Sequence, residues 1–357
     1  MKSTRKLYDL GQSIWLDNIT RNLLRSGTLS RYIQELSVTG LTSNPTIFYH
    51  AIKDGNDYDA GIDHRLRGPE SVDALFFELA LEDVKDAADL FRPVHELTDG
   101  VDGWVSLEVS PVLAHDAAKT LAAAQELHQR GGRPNIYIKI PGTPEGLVAV
   151  EEAIFAGIPV NVTLLFSREQ YLAAAEAYLS GIERRIAAGL KPNVSSVASI
   201  FISRWDVAVT GKVPDFKNRL GTAIAGRTYA AYRTFVDSER YQRVLNMGAR
   251  PQRLLWASTG TKDPSAPELL YVKALAAPFT INTMPEATLH ALAEHGEFDV
   301  VLDVDGGDCE DILSQFAQAG IDVQALAAQL QDEGAKSFVK SWNDLMSCIS
   351  AKSAALK

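Results

Sequence analysis

The sequence predicts an α/β chain folded as a single (β/α)8 TIM barrel with extra helices at its termini. Eight short runs rich in β-branched and aromatic residues alternate with stretches whose apolar residues recur at three- and four-residue spacing. No Gly/Pro/Ser-rich linker divides the 357 residues, so a two-domain split, which the length alone allows, has no visible seam. A doubly wound sheet is the main rival. It needs fewer strands and usually a glycine-rich phosphate loop, and neither GxGxxG nor GxxxxGK[ST] occurs.

In chain order, the first strand is read at 13–19 (SIWLDNI), followed by a helix over 20–36. The second, 38–45 (VTGLTSNP), ends on an Asn-Pro pair, where a strand stops readily. A long connection, 46–102, follows. Its polar stretch 53–71 (KDGNDYDAGIDHRLRGPES) covers one mouth of the barrel or lies on its outside, and 72–91 is helical. The third strand is 103–111 (GWVSLEVSP), with a helix over 112–130.

The fourth strand, 135–141 (NIYIKIP), and the fifth, 159–166 (PVNVTLLF), bracket the clearest unit: a PGTP turn, a helix over about 145–156, and a return strand. Pro144 sits where a first helical turn accepts proline, and Gly157 where a helix end favours glycine, so the unit reads as a βαβ crossover. A helix at 167–189 leads to the sixth strand, 195–203 (SSVASIFIS). Helical pattern at 217–248 precedes the seventh, 253–259 (RLLWAST), and a helix at 266–276 precedes the eighth, 279–285 (FTINTMP).

Residues 1–357 are taken as one barrel domain, with 286–357 as a helical extension. There LDVDGGDCEDILSQF opens one helix. A calcium loop starting at Asp303 would need Gly and Glu where the chain has Asp308 and Ser314, so Asp308 is expected to cap a helix with an acidic first turn through Asp311.

Apolar residues at 46% and charged residues at 22% describe a folded globular chain rather than a disordered or fibrous one. A net charge of −10 argues against nonspecific nucleic-acid binding, so any anionic ligand must meet a local basic pocket. Asp9 and Asp17 interrupt the N-terminal stretch where a signal peptide needs an apolar run. The longest membrane candidate, 147–166, is broken by Glu151, Glu152 and Asn161, so neither membrane association nor export is expected and the chain reads as cytoplasmic. Cys309 and Cys348 lack companions at metal-site spacing and read as free thiols.

In a barrel, strand side chains alternate between helix layer and interior, and chemistry collects where strands end. On the fourth strand Ile136, Ile138 and Ile140 then face the helices, leaving Tyr137 and Lys139 inward. The same rule turns inward Trp15 and Asp17, Trp104, Ser106 and Glu108, then Asn161 and Thr163 with Val160, Val162 and Leu164 outward, and Trp256 with Ser258. The second strand ends in Thr42 and Asn44; the sixth offers Ser199 and Phe201, with Arg204 just beyond. Singly, each has an innocent reading. Asp17 caps the next helix, Asn44 before Pro45 is turn chemistry, Thr163 is a good strand former, and Lys139 reaches water or pairs with Glu108. Together they place one amine, two carboxylates and several hydroxyl and amide groups at one barrel end, which is costly to desolvate without a use.

Such a set suits covalent catalysis by an amine. Lysine is ordinarily protonated near neutral pH, and burial among apolar groups favours the neutral, nucleophilic form. Attack on a ketone with loss of water gives a Schiff base, an electron sink that lets a carbon–carbon bond beta to it break. The chemistry also needs a carboxylate for the hydroxyl proton, an acid/base for imine formation, and polar groups that orient hydroxyls.

The runs TGLTSNPTIF, SLEVSP, IYIKIPGTPEG, NVTLLFS and SIFISRWD occur in this order on consecutive strands, and from Leu7 to about Pro285 the chain resembles the transaldolase family in its longer bacterial form. The resemblance implies a cofactor-free transfer, with no metal, of a dihydroxyacetone unit from sedoheptulose 7-phosphate or fructose 6-phosphate to erythrose 4-phosphate or glyceraldehyde 3-phosphate in the non-oxidative pentose phosphate pathway. It implies that Lys139 forms the Schiff base, Asp17 handles the hydroxyl proton of the breaking bond, and Glu108 with Thr163 positions the imine water. Asn44 and Asn161 match ligands of the dihydroxyacetone hydroxyls. Ser199 and Arg204 match the phosphate region, with Phe201 between them as a further substrate-binding residue.

One departure stands out. Many members carry ASFR after the seventh strand, whereas this chain reads WASTGTKDP; Ser258 has a counterpart, and Lys262 replaces the arginine as a point charge. Sugar phosphates are the expected partners, with no nucleic acid or membrane, and the chain is expected as a monomer or homodimer. The rivals are a fructose 6-phosphate aldolase, disfavoured by the chain's length, and a non-catalytic sugar-phosphate-binding barrel. A metal-dependent aldolase is weaker, since none of the seven histidines forms a cluster in the sequence.

Overall fold

The computed structural model describes residues 2–65, 71–213, 216–298 and 301–356. At its centre eight parallel strands close into a barrel in sequential order: β1 Gln12–Asp17, β2 Val38–Thr42, β3 Trp104–Glu108, β4 Ile136–Pro141, β5 Val160–Leu165, β6 Ser196–Phe201, β7 Gln252–Ala257 and β8 Thr280–Met284. β8 returns to β1, with Gln12 opposite Thr280 and Leu16 opposite Met284. Each strand is shorter than its sequence reading because the terminal residues leave the ladder to begin loops and helices.

The alternation expected on β4 holds. Ile136, Ile138 and Ile140 join the large apolar layer between strands and helices, whereas Tyr137 packs inside with Trp15 and Trp104. Trp104 and Tyr137 stack with centroids 4.0 Å apart, so aromatic rings fill the lower barrel. Gly40 on β2 makes room for this filling: a Cβ there would lie 2.6 Å from the Trp15 indole.

Two strands break the alternation, and two inferred directions fail. Trp256 lies in the helix-facing layer, while its neighbours Leu255 and Ala257 turn inward. Leu164 does not follow Val160 and Val162 outward but joins Phe166 in the mouth-side cluster. In both strands the backbone turns into the left-handed region at the mouth, with φ of 59° at Leu164 and 57° at Ser258. A two-residue period cannot cross such a turn.

The helical regions also subdivide. The 20–36 stretch becomes Arg21–Arg25 and Thr28–Glu35, separated at Gly27 with φ 78°. The 217–248 stretch becomes Leu220–Val236 and Glu239–Asn246, the second capped by Ser238. Val72–Leu97 runs through Pro93 beyond its expected end. Within the polar stretch, Asp59–Arg65 is helical, and residues 66–70 fall outside the described residues. Asp308 does precede the helix Cys309–Gln318, but it makes no side-chain cap bond. Its φ of −81° and ψ of 12° depart from the extended conformation that aims a capping oxygen, and Asp308 lies 3.7 Å from Arg219.

The last helix, Val323–Ala355, positions the barrel mouth. Asp322 caps it through the Gln324 and Ala325 amides, and the helix packs along Pro45–Asp54. Lys352 fastens its far end to the Gly55 carbonyl at 2.6 Å and to Asp59 at 2.8 Å. No helix among the described residues is long and apolar enough to cross a membrane.

Candidate active site

Strand register brings the inward residues together. Glu108 on β3 lies opposite Lys139 on β4, and Lys139 opposite Asn161 on β5. The Lys139 amine donates to the Ser43 carbonyl at 3.1 Å and forms an ion pair with Glu108 Oε2 at 3.1 Å. Both residues are buried; Glu108 is held by the Lys139 amine alone, and the Thr163 hydroxyl has no hydrogen-bond partner in the protein. Buried polar atoms are nearly always satisfied, so a carboxylate held only by the amine and an unbonded hydroxyl leave hydrogen-bonding capacity free here.

Above this group opens a cavity of about 310 Å³ lined by Asp17, Asn44, Lys139, Thr163, Ser199, Phe201, Arg204, Ser258 and Lys262. Glu108 and Asn161 sit just below its wall. Asn161 donates to Ser106 Oγ at 3.1 Å and accepts from Ser199 Oγ at 2.7 Å, so Ser199 meets the cavity while anchoring the asparagine. A larger cleft of about 670 Å³ lies where β1, β3, β7 and β8 begin, but it does not adjoin the amine and its carboxylate.

Asp17 does not cap the following helix; Thr20 does, through Leu23 N. Instead Thr42, opposite it on β2, donates to Asp17 Oδ1 at 2.9 Å and shares a 2.8 Å hydrogen bond with Thr283. Burial pushes the Asp17 carboxyl above the usual range, opposed by the Lys139 charge, the Thr42 hydrogen bond and Lys262. Burial likewise raises the Glu108 carboxyl, against the Lys139 charge, and the Asp17 charge adds to the rise. Asn44 caps the helix Pro45–Asp54 through Ile47 N at 3.1 Å and also lines the cavity, so its turn reading and its site position coexist.

The cavity lining also carries two cationic side chains. Arg204 and Lys262 face the cavity near Ser258, whose hydroxyl pairs with Ser203 at 2.8 Å. The turn at Ser258 brings it to the mouth although Trp256 points away. Thr46, His50, Thr283 and Phe338 also line the cavity. Strand parity applied to the eighth strand would have found Thr283. Phe338 carries no comparable signal, since it lies in the last helix and reaches the site only through tertiary packing.

The arrangement brings a buried amine, the carboxylate paired with it, a second carboxyl raised by burial and two cationic side chains to one cavity. A family model described as transaldolase/fructose-6-phosphate aldolase matches residues 14–349. The chain belongs to this family. It is 43% identical to the transaldolase of Thermobifida fusca, with 98% of each chain covered. It is 44% identical to that of Kocuria rhizophila over 98% of this chain and 97% of the relative, and 42% identical to that of Mycobacterium tuberculosis over 94% and 93%. Membership in the transaldolase family makes the chain an enzyme of the transferase class.

Proposed function

We propose that this transaldolase-family barrel moves a dihydroxyacetone unit between sugar phosphates through a Schiff base on Lys139. Sedoheptulose 7-phosphate and fructose 6-phosphate are the donors; glyceraldehyde 3-phosphate and erythrose 4-phosphate are the acceptors. The carrying observation is the Lys139 amine, held between the Ser43 carbonyl and a carboxylate that has no other partner, at the floor of a cavity whose lining carries two cationic side chains.

The neutral amine attacks the donor ketone, and the carbinolamine loses its hydroxyl as water. The free hydrogen-bonding capacity of Glu108 and Thr163 suits that water, and burial raises the Glu108 carboxyl toward the protonated form. Asp17 then takes the proton from the hydroxyl of the breaking carbon–carbon bond, and the imine accepts the electron pair as an enamine. Asn44 and Asn161 orient the three-carbon unit, the second from behind the wall with Ser199. Arg204, Ser258 and Lys262 receive the phosphate, Arg204 as a fork and Lys262 as a point charge. The reaction belongs in the cytoplasm, where the pathway's sugar phosphates reside.

Borohydride reduction in the presence of fructose 6-phosphate tests the assignment. A stable adduct on the peptide carrying Lys139 is expected, and an adduct confined to another lysine, or none, refutes it. Fructose 6-phosphate supplied alone separates transfer from aldol release: sustained glyceraldehyde 3-phosphate formation without an acceptor would make the chain an aldolase.

A further inference from the structure

The last helix contributes more to the site than packing. Phe338, 6% exposed, lines the cavity, and its ring centroid stands 5.7 Å from the Lys139 amine. The ring is held there from several sides. Gln331, two turns earlier, donates to the Gly142 carbonyl at 3.0 Å and the Leu164 carbonyl at 2.9 Å, joining the ends of β4 and β5. Leu164 presses so closely on Gly334 that a Cβ there would lie 3.0 Å from its Cδ2. Thr46 donates to Ser341 at 2.9 Å, one turn beyond the ring.

We infer that Phe338 is the roof of the reaction chamber and that it sets how often the covalent three-carbon intermediate is transferred rather than lost to water. The inference rests on the Schiff-base reading of Lys139 given above. After donor cleavage the lysine carries an enamine with two possible fates. In transfer, the enamine carbon bonds to the acceptor's aldehyde carbon, and the aldehyde oxygen becomes a hydroxyl with the proton returned by Asp17. In loss, the enamine carbon instead takes a proton originating from solvent. The resulting imine then adds water, its carbon–nitrogen bond breaks, and free dihydroxyacetone leaves the regenerated amine. Imine hydrolysis is common to both routes, whereas protonation of the enamine carbon from solvent belongs only to loss. An apolar ring over the amine denies bulk water a path to that carbon, and it acts by shielding, with no bond to the reacting atoms.

The test is the ratio of two rates for one protein: dihydroxyacetone release from fructose 6-phosphate alone, and transfer to erythrose 4-phosphate. Phe338→Ala is expected to raise the ratio of release to transfer roughly tenfold, a change of about 1.4 kcal/mol in relative barriers. Phe338→Leu, which keeps an apolar roof, is expected to hold it near the wild-type value. An unchanged ratio in Phe338→Ala overturns the proposal, as does a Leu variant as leaky as the Ala one. If Phe338→Ala does not fold, Phe338→Val carries the same comparison with a smaller change, and an unchanged ratio there is equally decisive. Borohydride trapping on the wild-type chain separates the two levels of inference: no adduct on Lys139 removes the Schiff base itself, while a normal adduct with an unmoved ratio removes only the roof.

Discussion

The two ends of this barrel each set a cation beside a buried carboxylate, and they treat it in opposite ways. At the N-terminal end, Arg253 on β7 reaches Asp102 at 3.0 Å, the Val101 carbonyl at 3.0 Å, Ser13 at 2.6 Å and the Thr280 carbonyl at 3.0 Å. That guanidinium ties together the starts of β1, β7 and β8 and the loop before β3. At the C-terminal end, Lys139 has one carbonyl and one carboxylate, and that carboxylate has no second partner. A pair with many further partners holds elements in register, whereas a pair with few keeps hydrogen-bonding capacity for a ligand. One scaffold thus separates fastening from chemistry by placing them at opposite mouths.

Lys139→Met challenges the comparison most severely. Transfer activity should fall roughly 10⁴-fold or more, as loss of a covalent nucleophile does. The fold should survive, because a raised Glu108 carboxyl can take up a proton once its cation is gone. Steady-state transfer assays with thermal melts decide it, and a collapsed fold with proportionate activity loss would make Lys139 a fastener like Arg253. Arg253→Met is the mirror experiment. Removing one partner of a buried pair costs about 3–5 kcal/mol. Denaturant unfolding should show that loss while turnover at low temperature stays within a few-fold of wild type. A stable variant with poor turnover would erase the distinction between the ends.

Thr42→Val gives the smallest effect. Asp17 has to be ionised to accept its proton; burial raises its carboxyl, and the Thr42 hydrogen bond counteracts part of that rise. Without the hydroxyl the carboxyl rises further, less of it is ionised at a given mildly acidic pH, and the acid limb of the rate profile should move to higher pH. Profiles of kcat for the two proteins measure this, and a limb that stays in place would dissociate Asp17 from that limb.

Strand alternation makes much of the barrel and its mouth legible in the sequence. Lys139 and Glu108 need only a two-residue period, and Asp17 follows from the same rule on β1. The rule failed where the backbone left the extended region, at Leu164 and Ser258, because no residue type in TLLFS or WASTG announces a left-handed turn. Phe338 was hidden for another reason. Helical periodicity shows which residues of Val323–Ala355 are apolar, but the surface that accepts them is distant in sequence, 167 residues away for the Gln331 contact with Leu164. Asp308 occupies the expected position with the wrong torsion angles, which composition cannot report.

Closure of β8 on β1 also has a consequence in time. The side-chain hydrogen bond from Gln12 to Thr280 spans 268 residues. A ribosome adding roughly 5–20 residues per second takes on the order of 13–54 s over that distance. Until β8 is made, the β1 edge that it will cover, with Ile14, Trp15 and Leu16, has no strand beside it, and only β2 can pair on the other flank. The newborn chain therefore carries an open, apolar seam for most of its synthesis, and the last strand seals it.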